Sequence, residues 1–264
     1  MKKWTSLIIT LFIASLVITI ASTAILTANL PNSTPNPTQL PTPSPTKPPT
    51  MYKTVIITFD DGWISQLNAI PILDKYNYKA TFGIITAYEV NNYSAYMNWS
   101  TIENLATQGH DIQSHTTTHV SLNSLTTAQL SYELKQSQQE LQSHGINATI
   151  LIYPYGDGYD NQTVRNAASL YYQYARDIQP GPIDLTAYDR YAISATEIED
   201  EITLSEFADL LNTQQNGITI IFYHKISYDH DYSVTPENFA AQMQYLHDHN
   251  FTVLTMKQIF NATK

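Results

Sequence analysis

Apolar positions follow three regimes along the chain. From Ser6 to Leu30 they run without a single charge, in a stretch of mainly Ile, Leu, Val, Ala and Thr. That length exceeds the roughly 20 residues a helix needs to span a bilayer. Residues 31–50 then lose all periodicity and become a Pro/Thr/Ser tract. Such a composition cannot build a core and favours the extended polyproline-II geometry of a stiff tether. From residue 51 onward, short β-branched runs alternate with segments of helical spacing.

The β-branched runs predict strands at Thr54–Phe59, Ala80–Ile85, Thr149–Tyr153, Tyr188–Ile193, Ile218–Tyr223 and Phe251–Leu254, and His110–Ser114 reads as a short polar strand or loop. Between them the 3.6-residue period predicts helices over Ile64–Tyr76 (interrupted by Pro71), Trp99–Gln108, Thr126–His144, Gln162–Leu170, Leu204–Asn212 and Pro236–His249, with a short terminal helix. Ser100 is the expected N-cap of the second helix, and Gly109 its stop. Thr126 and Gln129 form an expected capping box, with Gly145 ending that helix. Strands alternating with helices mean parallel β/α units, and wholly apolar strands mean a sheet buried on both faces. The expected fold class is therefore α/β. Seven or so units in residues 51–264 fit a barrel, complete or incomplete, with functional groups at the C-terminal ends of the strands.

Composition narrows the chemistry. The chain has 264 residues and no cysteine, which excludes disulfides, Cys-ligated metals and thiol catalysis. Residues 51–264 carry 10 basic against 23 acidic side chains, so a polyanionic partner such as nucleic acid is disfavoured. Tyrosine outnumbers phenylalanine 19 to 8. Its flat face and polar edge suit sugar rings as well as cores.

Polar clusters interrupt the pattern where four strands end: Asp60 and Asp61, His115 with His119, Tyr153–Gly156, and His224. Two adjacent carboxylates at a strand end are electrostatically unfavourable unless a cation lies beside them. Histidines at i and i+4 meet on one side of a helical turn. Two imidazoles and a carboxylate make an open metal triad that leaves positions for water and substrate. Each cluster also has an ordinary reading. Either aspartate can cap the next helix, His224 can be a core histidine, and Tyr153-Pro154-Tyr155 can be a plain turn. His110, His144, His230, His247 and His249 are read as structural or surface residues.

Taken together, Thr58–Gly62, Ser114-His115 with His119, Tyr153–Gly156 and Ile221–His224 resemble the motifs of the polysaccharide deacetylases, the NodB-homology group of carbohydrate esterases. The resemblance spans roughly residues 52–260. It implies a distorted (β/α)7 barrel, one catalytic domain over 51–264 behind the anchor (1–30) and the tether (31–50). It implies that Asp61, His115 and His119 bind a divalent metal, usually zinc, sometimes cobalt or nickel. Asp60 is then the general base, His224 the general acid, and the Tyr155 backbone N–H an oxyanion donor. Tyr153, Pro154 and Arg190 are expected at the substrate. The chain departs from the family in one charge: many members carry an arginine, paired with the catalytic aspartate, where this sequence has Ile152. Arg190 is the expected replacement.

The implied function is removal of N-acetyl groups from an extracellular or envelope polysaccharide of the N-acetylglucosamine type by a monomeric catalytic domain. The alternatives are an O-acetyl esterase or small-amide hydrolase using the same site, and a glycan-binding module with impaired catalysis. Lys2 and Lys3 before the apolar stretch place the domain outside a single-pass anchor in the cell membrane. Secretion after cleavage near Ala21–Ala24 is the alternative. Asn-X-Ser/Thr sequons fall at Asn32, Asn92, Asn98, Asn147, Asn161, Asn250 and Asn261.

Overall fold

A computed structural model describes residues 53–90, 93–199, 201–213 and 217–260, so the expected anchor and tether lie outside the described residues. In chain order the described elements are β1 (Thr54–Phe59), α1 (Ile70–Lys75), β2 (Thr81–Ile84), α2 (Thr86–Val90), α3 (Trp99–Thr107), β3 (Asp111–Ser114), α4 (Thr127–Ser143), β4 (Ile150–Ile152), α5 (Gln162–Ala168), β5 (Tyr174–Arg176), β6 (Thr196–Glu197), α6 (Leu204–Thr213), β7 (Ile218–Tyr223), β8 (Lys225–Ile226), β9 (Ser233–Val234), α7 (Pro236–Asp248), β10 (Thr252–Leu254) and α8 (Met256–Phe260). None of these helices is long and apolar enough to cross a membrane.

The main sheet has the order β5-β4-β3-β2-β1-β7-β6, and β10 pairs with the first half of β1. Every ladder in it is parallel. The sheet curls into a half-barrel, and β5 and β6 at its two ends share no ladder. The irregular segment leading into β6 spans that gap: Ala175 N–H donates to Arg190 O and Asp177 N–H to Ile193 O. This is the distorted barrel that the motif resemblance implies.

The strands are apolar on both faces because both faces are covered. Val55, Ile57 and Phe59 of β1 pack with the helices outside, while Ile56 joins Ile220, Phe222 and Phe260 in a separate cluster. Side chains that alternate across the pleat thus serve two cores. The capping box of Thr126 and Gln129 is formed, and Gly145 follows α4 at φ +75°, a backbone state that glycine adopts without steric cost.

Three local expectations are corrected. Asn98, not Ser100, caps α3, its side chain accepting the Thr101 N–H at 2.9 Å. Pro71 sits in the first turn of α1 and divides the Ile64–Tyr76 segment into a 3-10 turn and a short helix. Tyr188–Ile193 is a turn rather than a strand. Asp189 accepts the Tyr191 N–H at 2.9 Å and pairs with Arg165 at 2.6 Å, drawing the backbone away from a ladder.

His110, read from sequence as structural, is buried just before β3 and accepts the Ala80 N–H on Nδ1 at 3.2 Å. Burial and the nearby Lys79 push its pKa down to about 4 from 6.5. Between those values the unfolded chain binds the extra proton, so stability rises with pH across that window and falls on acidification. His110→Asn keeps an acceptor for Ala80 without an imidazole to titrate. Urea midpoints of this variant are expected to vary less than wild type between about pH 4 and 6.5.

Candidate active site

The four clusters converge because parallel strands end on one side of the sheet. Asp60 and Asp61 follow β1. Asp60 is buried and its N–H donates to Tyr223 O at 2.9 Å, which extends the ladder by one residue. Asp61 then turns into the left-handed region at φ +75°, and the strand ends there. Asp60 Oδ2 accepts from Arg176 Nη2, at the end of β5. Arg176 has no exposed surface; it also donates to Asp177 O at 3.1 Å and lies 4.6 Å above the Phe222 ring. Asp60 Oδ1 is buried without a hydrogen-bond partner. The side-chain amide of Gln66 donates to the backbone carbonyls of both Asp60 (2.5 Å) and His224 (2.8 Å), tying the ends of β1 and β7 together.

Asp61 Oδ1 lies 3.3 Å from His115 Nε2 and 3.4 Å from His119 Nε2, and the two imidazole nitrogens are 3.1 Å apart. Four interactions aim these donors at one point. Ile152 O receives His115 Nδ1–H at 2.8 Å, which leaves the Nε2 lone pair bare. Trp63 Nε1–H donates to Asp61 Oδ2 at 2.9 Å, leaving Oδ1 buried without a hydrogen-bond partner. Thr116 Oγ1 accepts the His119 N–H at 3.1 Å. The carboxylate of Glu133 accepts the N–H groups of Thr117 (3.0 Å) and Thr118 (2.8 Å). The His115–His119 segment is therefore a tight loop, not the expected helical turn, with Thr116 at φ +66° and His119 at φ +59°.

An unpartnered carboxylate oxygen facing two imidazole nitrogens, all three within 4.8 Å of one another, is a donor set that fits a borderline divalent cation. Burial opposes the charge on Asp61, but the neighbouring imidazoles, His115 first and then His119 and His224, hold its carboxyl well below the usual range. Burial first, then His115, push His119 down to about 4, which keeps it a neutral ligand at physiological pH.

His224 stands across from this cluster at the end of β7. Its Nδ1 is 2.9 Å from Glu197 Oε1 on β6. Burial disfavours its charge, yet the bond to Glu197 and the carboxylates of Asp60 and Asp61 outweigh burial and raise its pKa above 6.5. Tyr155 is exposed, in the left-handed region at φ +58°, with its ring 4.5 Å from that of His119. Tyr153 and Pro154 are buried, and the Tyr153 hydroxyl donates to Tyr191 O at 3.2 Å.

Asp60, Asp61, His115, His119, Tyr153, Tyr155 and His224 all line one cavity of about 440 Å³. Arg190 does not. It is exposed, with its guanidinium 5.4 Å from the Tyr174 ring, and Arg176 occupies the position beside Asp60 that Arg190 was expected to fill. The Ile152 side chain is taken up in packing: a Cβ on Gly83 would come within 2.7 Å of Ile152 Cδ1. Sequence reasoning missed Arg176, Glu197, Glu133 and Gln66, and the aromatic wall of Trp63, Tyr96 and Tyr88. In that wall Trp63 stacks on Tyr96 at 4.3 Å and Tyr96 meets Tyr88 at 4.6 Å. Arg176 and Glu197 end two short strands in the interval after Leu170, where the sequence predicts only one, at Tyr188–Ile193.

Comparison with known proteins agrees with this geometry. The family model for polysaccharide deacetylases matches residues 47–175. A Bacillus subtilis (strain 168) protein, YxkH, whose name places it among the polysaccharide deacetylases, is 33% identical over 131 residues, covering 49% of this chain and 46% of that protein. The chain thus spans about half the length of this curated relative. The Streptococcus pyogenes deacetylase PplD, solved in complex with acetate, is similar at a TM-score of 0.55 and 26% identity, over 59% of this chain and 69% of that one. The Xyl-CE4 domain of a xylanase from the hindgut metagenome of Trinervitermes trinervoides shares the fold. It has a TM-score of 0.55 and 20% identity, over 80% of this chain and 90% of that one.

Proposed function

We propose, from its match to the polysaccharide deacetylase family model and the site geometry, that the chain is a member of that family and a metal-dependent hydrolase removing N-acetyl groups from an N-acetylated polysaccharide. The observation that carries this reading is the flanking of one metal-type donor set by two differently paired proton-handling groups in one cavity. The arginine-paired Asp60 stands on one side and the glutamate-paired His224 on the other.

Asp61, His115 and His119 would hold the metal, and zinc matches two imidazoles and a carboxylate. When bound, the cation supplies Lewis-acid polarisation and acidifies water. Asp60 does the base work. Arg176 and Gln66 fix it, and its unpartnered Oδ1 accepts the proton of the attacking water. His224 does the acid work. Glu197 keeps its imidazolium stable, and that cation protonates the departing amine, which an amide requires because a bare amide anion is a poor leaving group. The Tyr155 backbone N–H is assigned to the developing oxyanion. Trp63, Tyr96, Tyr155 and Tyr232 give the cavity flat faces suited to sugar rings. The charged stretch before Ser6 and the uncharged one after it support a membrane-anchored enzyme working outside the cell. Arg176 beside Asp60 supports a working hydrolytic site over a glycan-binding module with impaired catalysis.

Acetate release from N-acetylglucosamine oligomers by zinc-loaded protein tests the reading, with elemental analysis in parallel. Asp60→Asn is expected to lower kcat by ~10²–10⁴ with metal content unchanged. No acetate from the oligomers at saturating metal, with release from acetyl esters, would assign the site to O-acetyl chemistry instead.

A further inference from the structure

We propose that Glu133 is a positioning residue for the metal site: its carboxylate templates the loop that presents His119, and so sets the affinity for the divalent cation. The inference rests on the metal-dependent reading above and deepens it. Glu133 lies in α4, away from the cavity wall, and is 5% exposed. A buried carboxylate normally needs a cation, and among the described residues none pairs with this one. Its charge is met instead by three donors from two consecutive loop residues. Oε2 accepts Thr117 N–H at 3.0 Å and Thr118 N–H at 2.8 Å, and Oε1 accepts the Thr118 hydroxyl at 2.6 Å. The Thr117 hydroxyl returns a bond to the Glu133 backbone carbonyl at 2.9 Å.

These are the residues between the two histidines. Thr116 and His119 both adopt left-handed backbone, at φ +66° and +59°. Non-glycine residues hold such conformations only where the surroundings over-determine them. The chain rises into the Thr116 turn, runs through Thr117 and Thr118 against the carboxylate, and comes back at His119, whose Nε2 reaches 3.1 Å from that of His115. The opposite edge of the loop is held by α2: Thr86 N–H donates to Thr116 O at 3.2 Å and Ala87 N–H to Thr117 O at 2.8 Å. Glu133 supplies the remaining side. His115 needs no such help, since Ile84 O and Ile152 O already fix its backbone and its ring. His119 depends on the loop for its position.

A glutamine at 133 keeps the shape but has one acceptor oxygen in place of two and introduces an N–H₂ among donors. Apo protein titrated with Zn²⁺ against a chelating dye is expected to show about 10–100-fold weaker binding for Glu133→Gln than for wild type, as for other groups that orient metal ligands. Thr118→Val removes only the hydroxyl bond to Oε1, and a smaller weakening in the same direction is expected. It serves also should the glutamine variant fail to fold. Unchanged Zn²⁺ affinity in either folded variant, even with a lower melting temperature, would make Glu133 a structural residue only and overturn the proposal, as would a wild-type protein that binds no Zn²⁺. The measurement needs no substrate. A wild type that binds Zn²⁺ with weakened variants, yet releases no acetate, would refute the hydrolase reading and leave this inference standing.

Discussion

Replacing Arg176 by methionine is expected to destabilise the domain by about 3–5 kcal/mol and to lower acetate release by at least ~10². The side chain is wholly buried, and its guanidinium binds the nearly buried Asp60. Removing one member of a buried pair leaves the other charge uncompensated, which costs far more than the pair contributes in net stability. Methionine fills similar volume against Phe222, so the packing loss is small and the electrostatic loss dominates. Asp60→Asn in the same background should recover much of the stability and none of the activity, because the unpaired charge is then gone together with the base. A double-mutant cycle lacking that coupling would show that Arg176 acts through packing alone.

The Arg176 case also marks where sequence reading stopped. The ends of long, apolar strands were legible: β1 and β7 run six residues each, and both lead directly into chemistry at Asp60, Asp61 and His224. The ends of short strands were not. β5 is Tyr174–Arg176 and β6 is Thr196–Glu197, too brief to show a period of two and each ending in a charge that single-sequence reasoning assigns to a loop. Those charges complete the site. The missing arginine of the third motif was therefore looked for one strand too late, at Arg190, when the neighbouring strand end of the same sheet supplied it. The i, i+4 spacing of His115 and His119 was read correctly as proximity and wrongly as a helix. The loop that brings them together is specified by Glu133, which sits a full element away in sequence and gave no local signal. That the Trp63 indole N–H orients Asp61 depends on a turn geometry set by Asp61 itself, which no local sequence pattern shows.

Glu197→Gln should reveal what the second short strand contributes. In the wild-type protein burial works against the imidazolium of His224, and the bond to Glu197, with the charges of Asp60 and Asp61, reverses that and raises its pKa above 6.5. An acid whose pKa is raised stays protonated, and so competent to protonate the leaving amine, to higher pH. Glutamine retains a hydrogen-bond acceptor for Nδ1–H but removes the negative charge. The basic limb of the kcat/KM profile is then expected to move to lower pH in the metal-loaded variant relative to metal-loaded wild type. Once both enzymes are past their own limbs, the rate ratio settles at about tenfold for each unit of displacement. Activity should suffer least on the acid side of both limbs, whereas His224→Ala should lose ~10² or more across the whole range. Zn²⁺ affinity should be the same in wild type and Glu197→Gln, because Glu197 touches none of Asp61, His115 or His119. A parallel drop at every pH, with the limb unmoved, would mean that Glu197 only holds the ring in place and that the charge of the pair is not what makes His224 an acid.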